Sequence, residues 1–232
     1  MTISDLIRRV KIKMDELTPF GEGLSITDPS TGASIPVTSG LVLLRPELYE
    51  KPIETYIKES IYDGYYALVA IAPYHITPVK SLTGTVVLNA DRSGTFTLPS
   101  DFYKLKDFKL VEWERPVTVT IDENDPHYKD QFNIYTRGNI SKPICVRNSD
   151  NLTMSLFSIS YPIITMTFQK GSYVPDLVLS VTAGGQIDPN GMITLDEDFL
   201  RPLIWMIASI VYDIYEATDL AKIALTHVAE LL

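Results

Sequence analysis

The sequence predicts an α+β fold: a helical bundle built from the N- and C-terminal helices, with an inserted antiparallel β domain, a small sandwich or barrel. Three observations carry this. Apolar residues keep helical spacing near both ends of the chain. Between residues 79 and 183 the pattern changes to short alternating runs. No helical run separates those strands, so neighbours in sequence pair antiparallel. The predicted segments are 1–78, helices with an extended arm at 21–46; 79–190, the β domain; and 191–232, helices that pack with the first ones.

The elements follow in order. Ile3, Leu6, Ile7, Val10, Met14 and Leu17 fall on one helical face, with Ser4 as N-cap and Pro19, Gly21 and Gly23 as the stop. From Gly21 to Gly40 glycine, serine, threonine and proline dominate and periodicity fades. That stretch reads as an arm, with Leu24, Ile26, Ile35 and Val37 as anchors that order against a partner. A second helix runs from Pro52 to Ala72, Pro52 suiting its first turn and Pro73 closing it. Its Tyr62, Tyr65 and Tyr66 read as core packing rather than a ligand site.

The β signal begins with Thr85–Leu88 and Thr95–Leu98, flanking the turn sequence Asp91-Arg92-Ser93-Gly94. Further strands are expected around Phe108 and Leu110, at Val117–Ile121, at Phe132–Ile134, at Ile144–Val146, at Leu152–Leu156 and at Ile164–Phe168. Between the second and third of these edges lies the turn Pro99-Ser100-Asp101-Phe102, where Asp101 is expected to cap a helical turn and Phe102 to plug the core. A long final helix starts at Phe199 behind Asp196, Glu197 and Asp198, whose charge suits a helix N-terminus. Thr218 reads either as a fresh N-cap or as mid-helix.

Composition narrows the function. The chain has 232 residues, 20 Lys+Arg against 29 Asp+Glu, and a net charge of −9. It is long enough to bury a core without disulfides or a structural metal. Such an acidic balance argues against wrapping nucleic acid or gripping an anionic membrane. A single cysteine, Cys145, excludes a disulfide framework. The longest apolar stretch, Leu203–Val211, is too short to span a bilayer, and Arg8-Arg9 is followed by lysines rather than by a signal core. A soluble protein is expected, acting where it is made or in a particle assembled there.

The search for catalytic chemistry is negative. The sequence holds no nucleophile elbow, Walker A loop, dinucleotide fingerprint or zinc-protease motif. Asp122, Asp125 and His127, with Asp130 beyond, have oxygen and imidazole ligands but not the EF-hand spacing, and read as a solvated acidic loop. Glu112 and Glu114 alternate around Trp113 like a carboxylate pair on a strand, though a solvated sheet face is preferred. Cys145 lies in an apolar run and reads as an inert thiol. Arg8, Arg9, Lys11 and Lys13 cluster on the first helix, and Lys104, Lys106 and Lys109 on one strand; both groups read as solvated faces. No catalytic residue, metal or cofactor is therefore expected. Trp205, Val211, His227 and Leu231 are the expected interface residues on the last helices, which carry apolar matter on several faces.

The run Gly94-Thr95-Phe96-Thr97-Leu98-Pro99-Ser100-Asp101-Phe102-Tyr103-Lys104-Leu105 resembles the strand–turn signature of tailed-phage head-to-tail connector proteins, the adaptor or ring proteins beneath the portal. Leu195-Asp196-Glu197-Asp198-Phe199-Leu200-Arg201-Pro202-Leu203-Ile204 is similar to their closing helices. Trp113–Val117 and Asn139–Ile144 resemble the sheet region of ring proteins in crAss-like podoviruses. The resemblance implies a helical bundle with an inserted β domain and no catalysis. It also implies a dodecameric homo-oligomeric ring docked on the portal protein and other tail or ring proteins. Such a ring sits at the head–tail junction of a virion assembled in the bacterial cytoplasm, and DNA passes through its channel without sequence-specific binding. Two other readings stay open. One is a β-rich module contacting carbohydrate or protein through Tyr103, Trp113 and Tyr135; the other is a metal-dependent hydrolase using Asp122, Asp125 and His127.

Overall fold

The computed structural model describes residues 1–16, 25–27, 34–36, 51–133, 135–150, 152–157 and 165–232. Residues 1–77 and 177–232 form one compact unit, and residues 78–176 form another. The chain is α+β, with helices at both ends and the strands between them.

The helical unit contains α1 (Ile3–Glu16), α2 (Ile53–Ile71), α3 (Glu197–Ile214) and α4 (Thr218–Leu231). The first turn of α1 is capped by Thr2, not by Ser4. Thr2 Oγ1 accepts the Asp5 N–H at 3.1 Å and donates to the Asp5 carboxylate at 2.8 Å. This reciprocal pair needs a three-residue spacing, which Thr2 and Asp5 have. Ser4 instead donates to the Pro189 carbonyl. The described part of the predicted apolar face is buried: Ile3, Leu6, Val10 and Met14 have no exposed surface, while Leu17 lies outside the described residues.

α3 packs against α1, α2 and α4. Its apolar residues on several faces thus have partners inside their own unit, which removes the reason for assigning them all to a foreign surface. Phe199, Leu203, Ile207 and Val211 are fully buried. Gly64 of α2 sits directly on Ile207, where a Cβ would lie 2.7 Å from the Ile207 Cγ1. Tyr65 meets Phe199 edge-on at 5.6 Å, so the tyrosine stripe is core at that position. Tyr212 donates its hydroxyl to the Met14 carbonyl at 2.8 Å and ties α3 to the last turn of α1. Between α3 and α4 the chain turns at residues 215–217, with Glu216 in the left-handed region at φ 57°. Of the two readings of Thr218 the mid-helix one falls: a fresh helix, α4, begins at Thr218 with Ala217 in the N-cap position.

Within the arm, β1 (Ser25–Thr27) and β2 (Ser34–Pro36) pair antiparallel, with Ile26 opposite Ile35. Leu24 and Val37 lie outside the described residues.

The β unit holds two sheets. One has β3 (Lys80–Ser81), β10 (Phe168–Pro175) and β6 (Phe102–Leu110) in that order. The other has β4 (Val86–Leu88), β5 (Gly94–Thr97), β9 (Thr153–Phe157), β8 (Ile144–Arg147) and β7 (Ile121–Asp122). The pairings are antiparallel except β7 with β8, a two-residue parallel match. Both sheets contribute to one apolar core that includes Phe96, Phe108, Leu110, Cys145, Met154 and Leu156. Among the described residues no barrel is closed. The predicted hairpin is β4–β5, with Val86 opposite Phe96. Its turn is held by Asp91, which accepts both the N–H and the hydroxyl of Ser93.

Four predicted features differ. Of the described residues in the strand expected at Ile164–Phe168, only Phe168 is in a strand, as the first residue of β10, and Ile164 lies outside the described residues. Val117–Ile121 is no full strand: Val117 makes one bridge to Phe108, and only Ile121–Asp122 joins a sheet. Phe132 ends a 3₁₀ helix, η1 (Pro126–Phe132), and Ile134 lies outside the described residues. Glu112 and Glu114 lie in a turn after β6. The last three share a cause: Pro116 and Pro126 lack the ladder N–H, and the carboxylates of Asp122 and Asp125 draw nearby backbone N–H groups into turns.

Candidate functional site

Among the described residues of the helical unit, a groove of ≈ 330 Å³ lies between α1, α3 and the end of α4. Ile12 of α1, Ile204 and Trp205 of α3, and Leu231 of α4 give it apolar walls. Arg9, Lys13 and Arg201 stand around them with one carboxylate, Glu197. This composition follows from helix geometry. Arg9 and Lys13 are four residues apart on α1, as are Arg201 and Trp205 on α3, so each pair shares a helix face.

The contacts fix the groove's shape. Arg9 Nη1 reaches Glu197 Oε1 at 2.9 Å, and the Arg201 Nε lies 3.8 Å from the same oxygen. These pairs are half-exposed and individually weak. The Trp205 ring stacks on the His227 imidazole with centroids 4.6 Å apart and planes 25° apart. His227 Nδ1 lies 3.0 Å from Glu230. The Lys13 ammonium sits 5.7 Å from the Trp205 ring centroid, in cation–π range. Trp205, His227 and Leu231, three of the four predicted interface residues, thus come together. Val211 does not join them: it is fully buried in its own unit and offers no surface. The sequence reading does not place Ile12, Arg9 and Lys13 of α1, or Glu197, Arg201 and Ile204 of α3, in the site. The cluster Arg8, Arg9, Lys11, Lys13 is the available signal for the α1 part.

The Pro99 turn is tight but not helical. The Phe102 N–H donates to the Pro99 carbonyl at 3.1 Å, and the chain passes straight into β6. Asp101 caps no helix. Its Oδ1 accepts the Tyr173 hydroxyl at 2.8 Å and its Oδ2 the Lys80 ammonium at 2.6 Å. Burial alone pushes the Asp101 carboxyl up, but the Lys80 and Tyr173 hydrogen bonds outweigh it and hold it below its ordinary value. Burial, then the hydrogen bond and charge of Asp101, push Tyr173 up to about 12. Phe102 is buried as expected, stacked on Tyr173 at 5.6 Å with the Arg147 guanidinium 5.4 Å from its centroid.

The acidic loop spends its carboxylates locally. Asp122 accepts the Asn124 N–H at 2.7 Å, Asp125 accepts the His127 N–H at 2.8 Å, and His127 lies 3.3 Å from Asp130. Among the described residues no three or more metal-type ligands gather. Glu112 turns to accept the Thr167 N–H. Cys145 is buried in the β core, which pushes its thiol well above the usual value. The three aromatics of the binding-module reading do not form one surface: Trp113 is core, Tyr103 is half-buried and Tyr135 is 93% exposed. No family model matches the chain, and no curated protein matches it.

Proposed function

We propose that the protein is a non-catalytic structural component of a phage virion, a ring-forming head-to-tail connector that docks beneath the portal. The observation that supports this most is the architecture. The two ends of the chain build one helical unit, and a two-sheet β unit is inserted between them, as the resemblance implies. The groove around Trp205 is the kind of aromatic-anchored surface that subunit contacts use. A net charge of −9 suits a conduit that lets DNA pass without gripping it. No described helix is long and apolar enough to cross a membrane, which agrees with a particle-bound role. The proposed partners are further copies in a twelvefold ring, the portal protein, and other tail or ring proteins. The proposed location is the head–tail junction.

Electron microscopy of the protein co-expressed with a portal protein tests this. Rings of twelve copies stacked on the portal are the expected result. A protein that stays monomeric and leaves the portal bare would remove the proposal. A second reading, a β-rich module contacting carbohydrate or protein, draws on Phe132 and Tyr135, both strongly exposed in the β unit. Glycan or protein binding abolished by Tyr135→Ala would favour that reading instead.

A further inference from the structure

The groove has a complement on the same chain. At the turn between α3 and α4, Asp213, Glu216 and Asp219 are all exposed. Lys222 accompanies them, 3.7 Å from Asp219. Among these carboxylates stands Ile214, 39% exposed, with Leu225 of α4 at 43%. The groove inverts this pattern: three cations and one carboxylate around an apolar floor, with Ile12 at 46% exposure.

The two surfaces cannot meet within one copy. Arg201 and Trp205 lie in the first half of α3 and Leu231 ends α4, whereas Ile214 ends α3 and Asp219 opens α4. At ~1.5 Å per residue, about 20 Å of helix separates Arg201 from Ile214. The helical hairpin therefore carries a positive apolar hollow at one end and a negative apolar knob at the other.

We infer that the α3–α4 turn of one copy seats in the α1–α3–α4 groove of the next, Ile214 facing Ile12 and Trp205 and the carboxylates facing Arg9, Lys13 and Arg201. Unlike surfaces meet, so the contact is head-to-tail and propagates, and it closes only if the rotation per copy allows a ring. The inference rests on the connector reading for that closure. The pairing of the two surfaces is a separate matter and has its own test.

Two variants suffice. In the groove variant, Lys13→Glu and Arg201→Glu reverse the hollow's charge. In the turn variant, Asp213→Lys and Glu216→Lys reverse the knob's. Far-ultraviolet circular dichroism confirms that each retains its helices. By analytical ultracentrifugation the full-length protein is expected to self-associate, less so at high salt. Each variant alone is expected to associate about a hundredfold more weakly, because like charges then face each other. Mixed one to one, the variants are expected to co-assemble in alternation, because the intact knob of one fits the intact hollow of the other and the two reversed surfaces match as well. A chain carrying all four substitutions regains self-association. If the unsubstituted protein is monomeric, or the variants assemble as it does, or the mixture does not pair, the contact is wrong. Rings that persist in both variants would overturn the contact while leaving the connector reading standing.

Discussion

Gly64→Ala is expected to change sign with the residue opposite it. Gly64 lies inside α2, where alanine is favoured over glycine by about 1 kcal/mol. Against that, the new Cβ would stand 2.7 Å from the Ile207 Cγ1, in a residue that is fully buried and has nowhere to retreat. Overpacking of this kind costs about 1–3 kcal/mol. The net effect in the natural sequence is a loss on the order of 1 kcal/mol. Ile207→Ala by itself removes a buried side chain and costs about 2–5 kcal/mol. In that background the clash is gone. The next nearest atoms are the Ile207 backbone nitrogen and Cα at 3.5 and 3.6 Å, ordinary contact distances. The added methyl then keeps its helix advantage and fills part of the cavity, so Gly64→Ala becomes stabilising by about 1 kcal/mol. The cycle should show a coupling of about 2 kcal/mol between positions on two helices. Urea unfolding followed by the far-ultraviolet helical signal measures all four proteins. The same sign of Gly64→Ala in both backgrounds would refute the packing argument.

Three further outcomes are expected. Tyr173 is raised in the folded state, so its contribution is fully present below about pH 10 and is lost as pH rises towards about 12; Tyr173→Phe should remove on the order of 2 kcal/mol of that alkaline destabilisation, read from thermal unfolding across the range. Phe102→Ala should lower stability by about 3 kcal/mol, since it deletes a buried ring held between Tyr173 and Arg147, and an unchanged unfolding midpoint would contradict its burial. Cys145, buried with its thiol pKa raised, should resist iodoacetamide in the native protein and react once it is unfolded; rapid native labelling would show that the β core opens.

Much of the fold could be read from periodicity because each predicted helix has a clear apolar face. Ile3, Leu6, Val10 and Met14 repeat at helical spacing and are all buried, as are Ile53, Ile57, Ile61 and Leu68. The β4–β5 turn was legible from Asp91 and Ser93, whose side chains make the turn themselves. What failed was the placing of breaks. The apolar period runs on from Ile210 through Leu220, and only the backbone at Glu216 shows the turn. The alternation at Val117–Ile121 is real, but Pro116 and the threonines place Val119 in solvent. The candidate site was half legible. Trp205, His227 and Leu231 were found as large side chains on the final helices, and they do converge. Val211 was chosen by the same criterion and is core. A single helix sequence does not distinguish a face turned to a neighbouring helix from one turned to another molecule. Ile12 and Lys13 were missed because they acquire meaning only when α1 is laid beside α3.

The helical unit is discontinuous in sequence, and its first residues are strapped to late ones. The Ile3 N–H donates to the Gly191 carbonyl at 3.0 Å, the Ile193 N–H donates to the Met1 carbonyl at 2.8 Å, and Thr2 bridges Met192. A ribosome delivers residues 78–176 complete before any of these partners has emerged. Vectorial synthesis therefore hands over a β unit ready to close on itself, while α1 and α2 wait with their apolar faces uncovered until α3 arrives. Such waiting faces are what chaperones bind, and their exposure lasts as long as translation of the insert. Slow codons or pauses within residues 78–176 should thus lower the yield of correctly folded chain more than pauses after Leu203.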